Sequence, residues 1–208
     1  MAPGEPFSQR RIGLTGGIAS GKSSVGRWLA QQGLPVFDAD QYAREALTPG
    51  RQATHSVIQR YGSTVRADGT EAIDRAALGR IVFHDPAERR WLEQLIHPIV
   101  RERFDQAFSL HIDKPAVVLM IPLLFEAGLE SLCSEIWLVD CDESQQLERL
   151  IARDGLSPEA AQARIAAQWP LNRKRGLADH VIGNRGQPGT WKAQAVGLLH
   201  ATATADPG

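Results

Sequence analysis

Apolar and polar positions follow two rhythms along this chain. Short runs that are almost wholly apolar, at 12–15, 34–37, 116–121 and 135–139 with a brief fifth at 181–182, have the length and composition of strands buried on both faces. Between the first two, residues 20–32 carry Val25, Trp28 and Leu29 at i, i+3, i+4 and stop at Gly33, which predicts a helix. Strand-like and helix-like stretches alternating in this way predict an α/β protein on a parallel five-stranded sheet.

Two stretches break the alternation. Residues 46–113 hold no convincing central strand and read as an Arg-rich helical lobe inserted into the fold, punctuated at His84-Asp85-Pro86 and at His97-Pro98. Residues 143–175 read as two helices hinged at Asp154-Gly155-Leu156. The second opens on a cap, a proline and an early acid, Ser157-Pro158-Glu159. This pair carries Arg149, Arg153, Arg164, Arg173, Lys174 and Arg175 and has the makings of a mobile lid. The nucleotide-binding core is then expected at 10–45, 114–142 and 176–200, with flexible tails at 1–9 and 201–208. No repeat and no internal low-complexity tract disturbs that plan.

Composition narrows the class. In 208 residues, 43% hydrophobic, 23 basic side chains offset 24 acidic ones, leaving a net charge of −1. Such a chain can bury a core and spreads no positive field for nucleic acid or an anionic membrane. No run nears the length needed to span a bilayer, and the opening residues hold no apolar stretch resembling a signal peptide. Cys133 and Cys141 form no C-x-x-C pair, and the six histidines show no metal-ligand spacing. A cytoplasmic protein with reduced thiols is expected. Nothing in the sequence speaks to oligomeric state.

The chemistry starts at Gly16-Gly17-Ile18-Ala19-Ser20-Gly21-Lys22-Ser23, which fits G-x-x-x-x-G-K-[ST] between a strand and a helix. Glycines let such a loop curl so that backbone N–H groups and the positive helix end face phosphate oxygens. Lys22 would reach the β/γ-phosphates, and the Ser23 hydroxyl would ligate Mg²⁺. Residues Gly17 to Ser24 are the expected ATP-binding set.

The loop does not name the reaction. A GTPase switch needs N-K-x-D, which neither Asn172 nor Asn184 supplies, and Asp140 reads as a strand-end residue without metal duty. Asp38-Ala39-Asp40 follows the second strand, at the rim where open parallel sheets bind ligands. In an extended segment Asp38 and Asp40 point the same way, and a carboxylate there can take the proton of an alcohol in line with the γ-phosphate. Equally, the pair can simply cap the helix that follows. Arg149 and Arg153, at i and i+4, share a helix face and would neutralise a transferring phosphoryl group if that face closes, or else pair with Glu148 or Asp154. A small-molecule kinase, for a nucleoside monophosphate or a sugar among others, and a non-catalytic ATP-binding regulator both remain open at this point.

Further residues carry a closer resemblance. The phosphate loop, Asp38-Ala39-Asp40 through Arg44, His97-Pro98, Pro122-Leu123-Leu124-Phe125-Glu126, Arg149 through Asp154, and Ala178-Asp179-His180-Val181-Ile182-Gly183-Asn184 occur in the order typical of dephospho-CoA kinases, over about residues 11–186. The chain therefore resembles that family. The resemblance implies a P-loop kinase-type three-layer sandwich with an inserted acceptor lobe and a lid. It also implies transfer of the γ-phosphate of ATP to the ribose 3′-hydroxyl of dephospho-coenzyme A, the last step of coenzyme A synthesis. Asp40 then falls on the family's base, with Lys22 and Arg149 beside it on the phosphates. Asp38, Arg44, His97 and Glu126 fall on the acceptor side, and adenine lies against the segment around Asn184. Two departures stand out. Ala19 replaces a usual third glycine, which the loop tolerates if that residue keeps a negative φ, and Gly183 replaces an acid.

Overall fold

The computed structural model describes residues 9–67, 69–187 and 189–201. In chain order the elements are β1 (Arg10–Gly16), α1 (Lys22–Gln31), β2 (Val36–Asp38), α2 (Ala39–Ala46), α3 (Gln52–Tyr61), α4 (Arg75–His84), α5 (Pro86–Leu110), β3 (Ala116–Met120), β4 (Glu135–Asp140), α6 (Glu143–Asp154), α7 (Pro158–Ala166), α8 (Leu171–Arg175), β5 (His180–Gly183) and α9 (Lys192–Ala201). The expected tails lie outside the described residues except at their inner ends. There Gln9 is buried, its Nε2 donating to Lys114 O at 2.9 Å, and Ala201 closes α9. Neither belongs to a loose tail.

The strands form one parallel sheet in the order β2-β3-β1-β4-β5, with β1 paired to both β3 and β4. The middle strands are the apolar runs seen in the sequence, because a strand covered on both faces has no polar side to show. On one face Ile12, Leu14, Val118, Met120, Trp137 and Val139 pack with Val25 and Leu29 of α1, with Trp191 just before α9 and with Ala195 of α9. On the other, Leu138 and Cys141 meet Leu171 of α8. Central β1 ends at Gly16, so the phosphate loop opens at the carboxyl edge of the sheet, where ligands of such sheets bind.

The chain divides into two units, residues 1–37 with 112–208, and Asp38–His111. The second begins at Asp38 and not at 46, because α2 packs within it. Tyr42 meets Phe104 edge-on at 5.3 Å, and Glu45 pairs with Arg103 at 3.0 Å. Its interior gathers Val57, Val65, Ile73 and Leu78. His84-Asp85-Pro86 does punctuate the chain: α4 ends at His84 and Asp85 caps α5, accepting from the Ala87 and Glu88 amides. His97-Pro98 does not. Pro98 lies inside the 25-residue α5, depriving the Gln94 carbonyl of its helical donor. The buried stripe Ile96, Val100, Phe104, Ala107 and Phe108 carries the helix through.

Candidate active site

Gly16 ends β1 and Lys22 begins α1, so residues 17–21 make the whole turn. The Ser20 amide bonds Gly17 O at 3.1 Å and tightens it. Gly21 has φ +99°, and a Cβ there would sit 2.2 Å from Asn184 Nδ2, so any other residue would be strained and would displace the Asn184 carboxamide. Ala19 does not keep a negative φ. It sits at +58°, alone among the described non-glycine residues in the left-handed region. Holding this conformation costs an L-residue about 1–2 kcal/mol.

Three carboxamides hold the loop from outside. Asn184 Nδ2 donates to Ser20 O at 2.8 Å, Gln146 Nε2 donates to Ile18 O at 2.7 Å, and Gln168 Oε1 accepts the Ile18 N–H at 2.9 Å. Asn184 is itself fixed where β5 ends, its amide bonded to Asp140 O at 2.7 Å. The side chain of the residue expected near adenine therefore buttresses the loop. The Gln146 side chain presses on Gly17, where a Cβ would come within 2.3 Å of Nε2. Gln146 and Gln168 escape sequence reasoning because a glutamine on a polar helix looks like solvated surface.

Arg149 points its guanidinium back to the loop that follows β5. Nη2 donates to Asn184 O at 3.0 Å, and Nη1 is buried with no acceptor among the described residues. Both line a cleft of about 570 Å³ that starts at Gly21 and runs past Ser24, Trp28 and Trp191 to Gly186 and Lys192. The other arginines of the expected lid are spent elsewhere. Arg153 and Arg164 pair with Asp154 at 2.7 and 3.0 Å, Arg173 stacks over the Trp169 ring, and Arg175 pairs with Asp140 at 2.9 Å. Arg185 binds the same Asp140 at 2.7 Å. That buried carboxylate is thus neutralised by two guanidiniums.

Glu126 lies in the unit that carries the sheet, not in the Asp38–His111 unit. One of its oxygens accepts the Trp169 amide at 3.0 Å and pairs with Lys174 at 2.7 Å, while Oε2 is buried without a partner among the described residues. Lys174 is wholly buried. In sequence it sat in Asn-Arg-Lys-Arg and gave no sign of burial.

The remaining expected residues belong to the Asp38–His111 unit. Asp38 caps α2, its Oδ1 accepting from the Asp40 and Gln41 amides at 2.9 and 3.4 Å. Helix replaces the extended segment that would have aligned the two aspartates, and Asp38 alone takes the capping role. Asp40 stands exposed in the first turn with Arg44 four residues on, so these two share a helix face. His97 is half-buried on α5.

Among the described residues, no three or more His, Cys, Asp or Glu cluster into a metal cage. Exposed Ser23 offers one hydroxyl in the first turn of α1. A lone hydroxyl suits Mg²⁺, which keeps most of its waters and borrows phosphate oxygens.

Comparison with known proteins bears on all of this. The dephospho-CoA kinase family matches residues 10–189. A dephospho-CoA kinase of Synechococcus sp. (strain CC9605) is 86% identical over 206 residues, 99% of this chain and 100% of its own length. A crystal structure from Thermus thermophilus is similar at TM-score 0.82 and 35% identity, covering 94% of this chain and 98% of that one. A dephospho-CoA kinase structure from Campylobacter jejuni is similar at 0.69 and 26%, covering 92% and 96%.

Proposed function

This chain belongs to the dephospho-CoA kinase family, and from that premise we propose how its residues perform the family's reaction. It is a phosphotransferase that uses ATP to phosphorylate the ribose 3′-hydroxyl of dephospho-coenzyme A, yielding coenzyme A and ADP in the last step of coenzyme A synthesis. Another P-loop small-molecule kinase is not favoured.

The observation that carries the residue assignment is the cleft at Gly21 lined by Arg149, one of whose guanidinium nitrogens is buried without an acceptor among the described residues. An unpaired buried donor is costly, and an anionic ligand relieves it. ATP would lie with its triphosphate on the loop amides from Gly17 to Ser24 and its base toward Asn184 and Gly186. Lys22 and Arg149 neutralise the charge that builds on the transferring phosphoryl group. In a loose transition state such fixed charges do most of the work. Mg²⁺, held by Ser23 and the phosphates, would supply further charge neutralisation when bound.

On the acceptor side Asp40 takes the hydrogen of the 3′-hydroxyl, either removing the proton as the O–P bond forms or orienting the oxygen. Arg44 would steady the substrate's anionic groups. Asp38 acts through its cap, fixing the turn that presents Asp40. His97 and Glu126 belong to the same expected acceptor set, with Glu126 serving through the segment it anchors. The 38–111 unit would carry the acceptor, residues 143–175 would supply the lid, and a cytoplasmic setting fits the absence of any membrane-length apolar helix among the described residues.

A coupled assay of ADP release tests this, offering dephospho-CoA, AMP, UMP and gluconate in turn. ADP release with dephospho-CoA is expected. Turnover confined to a nucleotide or sugar acceptor would sink the assignment.

A further inference from the structure

Ile18 is gripped at both of its backbone polar groups by side chains from the segment read as a lid. Its carbonyl accepts from Gln146 on α6, and its amide donates to Gln168, which follows α7. Neither glutamine is a wandering surface side chain. Gln146 is 4% exposed. Gln168 sits in a segment nailed down by the Trp169 amide on Glu126, by the Lys174–Glu126 pair and by buried Leu171.

We infer that Gln168 is a positioning residue: its carboxamide oxygen fastens the return segment of the lid to the phosphate loop and holds the loop in its phosphate-ready shape. This rests on the nucleotide-site reading above. Two independent features converge on it. Gln146 and Gln168 stand at the two roots of residues 147–167, so both ends of the hinged helices are tied to one residue of the loop. The residue after Ile18 is Ala19, at φ +58°. A strained conformation persists only where its surroundings over-determine it. With both polar groups of residue 18 pinned, the peptide that leads into Ala19 cannot relax. Removing the Gln168 acceptor frees the Gly17–Ile18 peptide, just before the one Gln146 still holds, to swing, so fewer molecules present a preformed loop, and apparent ATP affinity falls by the lost fraction.

The test is Gln168→Met, which keeps the length and volume of the side chain and removes the acceptor. Full-length wild type and variant are compared by amide exchange at Ile18, by thermal melting, and by kcat and KM for ATP and dephospho-CoA. Exchange at Ile18 is expected to speed up, and KM for ATP to rise, each by about tenfold, as one hydrogen bond's worth of loop order is lost. KM for dephospho-CoA and the melting temperature should hardly move. Gln168→Glu, which restores an acceptor, should return protection to Ile18 while KM for ATP stays high, because it sets a negative charge beside the triphosphate. If Gln168→Met does not fold, Gln168→Asn, one methylene too short, takes its place in the same measurements. Unchanged Ile18 exchange and KM overturn the inference, as does faster exchange spread evenly over the chain with a matching drop in melting temperature. Amide exchange needs no substrate, so a wild type inactive on dephospho-CoA would defeat the functional reading and leave the clamp to be judged separately.

Discussion

The ammonium of Lys174 lies 2.7 Å from Oε1 of Glu126 and is fully shielded from solvent. A buried pair costs desolvation on both sides, and losing one partner strands the other. Lys174→Met should therefore lower unfolding free energy by about 3–5 kcal/mol, measured by urea denaturation. The double variant Glu126→Gln with Lys174→Met should recover most of it. A loss under about 1 kcal/mol for the single variant would show that the pair carries little.

Asp40→Asn keeps the shape of the side chain and removes its basicity. ATP affinity by calorimetry should stay near normal while kcat falls by several powers of ten, since base and positioning contributions vanish together. Lys22→Ala should instead weaken nucleotide use for every acceptor. Near-wild-type kcat in Asp40→Asn would remove Asp40 from the chemistry.

Because Ala19 sits at φ +58°, Ala19→Gly should leave activity intact and raise stability by up to about 1 kcal/mol, less whatever the freer unfolded chain takes back. Ala19→Val, β-branched in the left-handed region, should cost on the order of 2 kcal/mol and raise KM for ATP. Thermal melts and steady-state kinetics decide. A stabilising Val would contradict the backbone described here.

Glu135 is set for an acid-range effect. Burial pushes its carboxyl up, but hydrogen bonds from Arg10 and Trp137, with the charge of His180 nearby, outweigh that and hold it below 4.5. A carboxyl lowered on folding lends stability that is complete above its unfolded value and fades as pH falls through the folded one. Glu135→Gln should thus cost about 2 kcal/mol at neutral pH, and the gap should close as both proteins are acidified below that range. A gap independent of pH would argue for packing alone.

Burial raises the Cys133 thiol to about 12, and Cys141 is raised by the same cause. The thiolate is the reactive form. Ellman's reagent at mildly alkaline pH should find both thiols inert in the native protein and both reactive in urea. Prompt labelling of the folded chain would place one of them nearer the surface.

Much of the architecture was legible beforehand. Strands at 12–15, 116–121 and 135–139 announce themselves because burial on both faces leaves no room for polar residues, and the phosphate loop because its glycines and Lys22 answer to a ligand. Where local pattern competed with packing, packing won. The strand expected at 34–37 lies at Val36–Asp38 and turns straight into helix at Ala39, since a first turn capped by Asp38 satisfies backbone donors that an extended segment would leave open. Pro98 fails to end α5 because its apolar stripe continues past it.

The sequence by itself determined which residues can bind phosphate and in what order strand, loop and helix must follow, since those are matters of neighbouring positions. Only the tertiary structure decided which side chains hold that loop still. Gln146, Gln168 and Asn184 reach it from 128, 150 and 164 positions away. A hydrogen bond across such a separation depends on how helices pack over the sheet, and no local spacing records it.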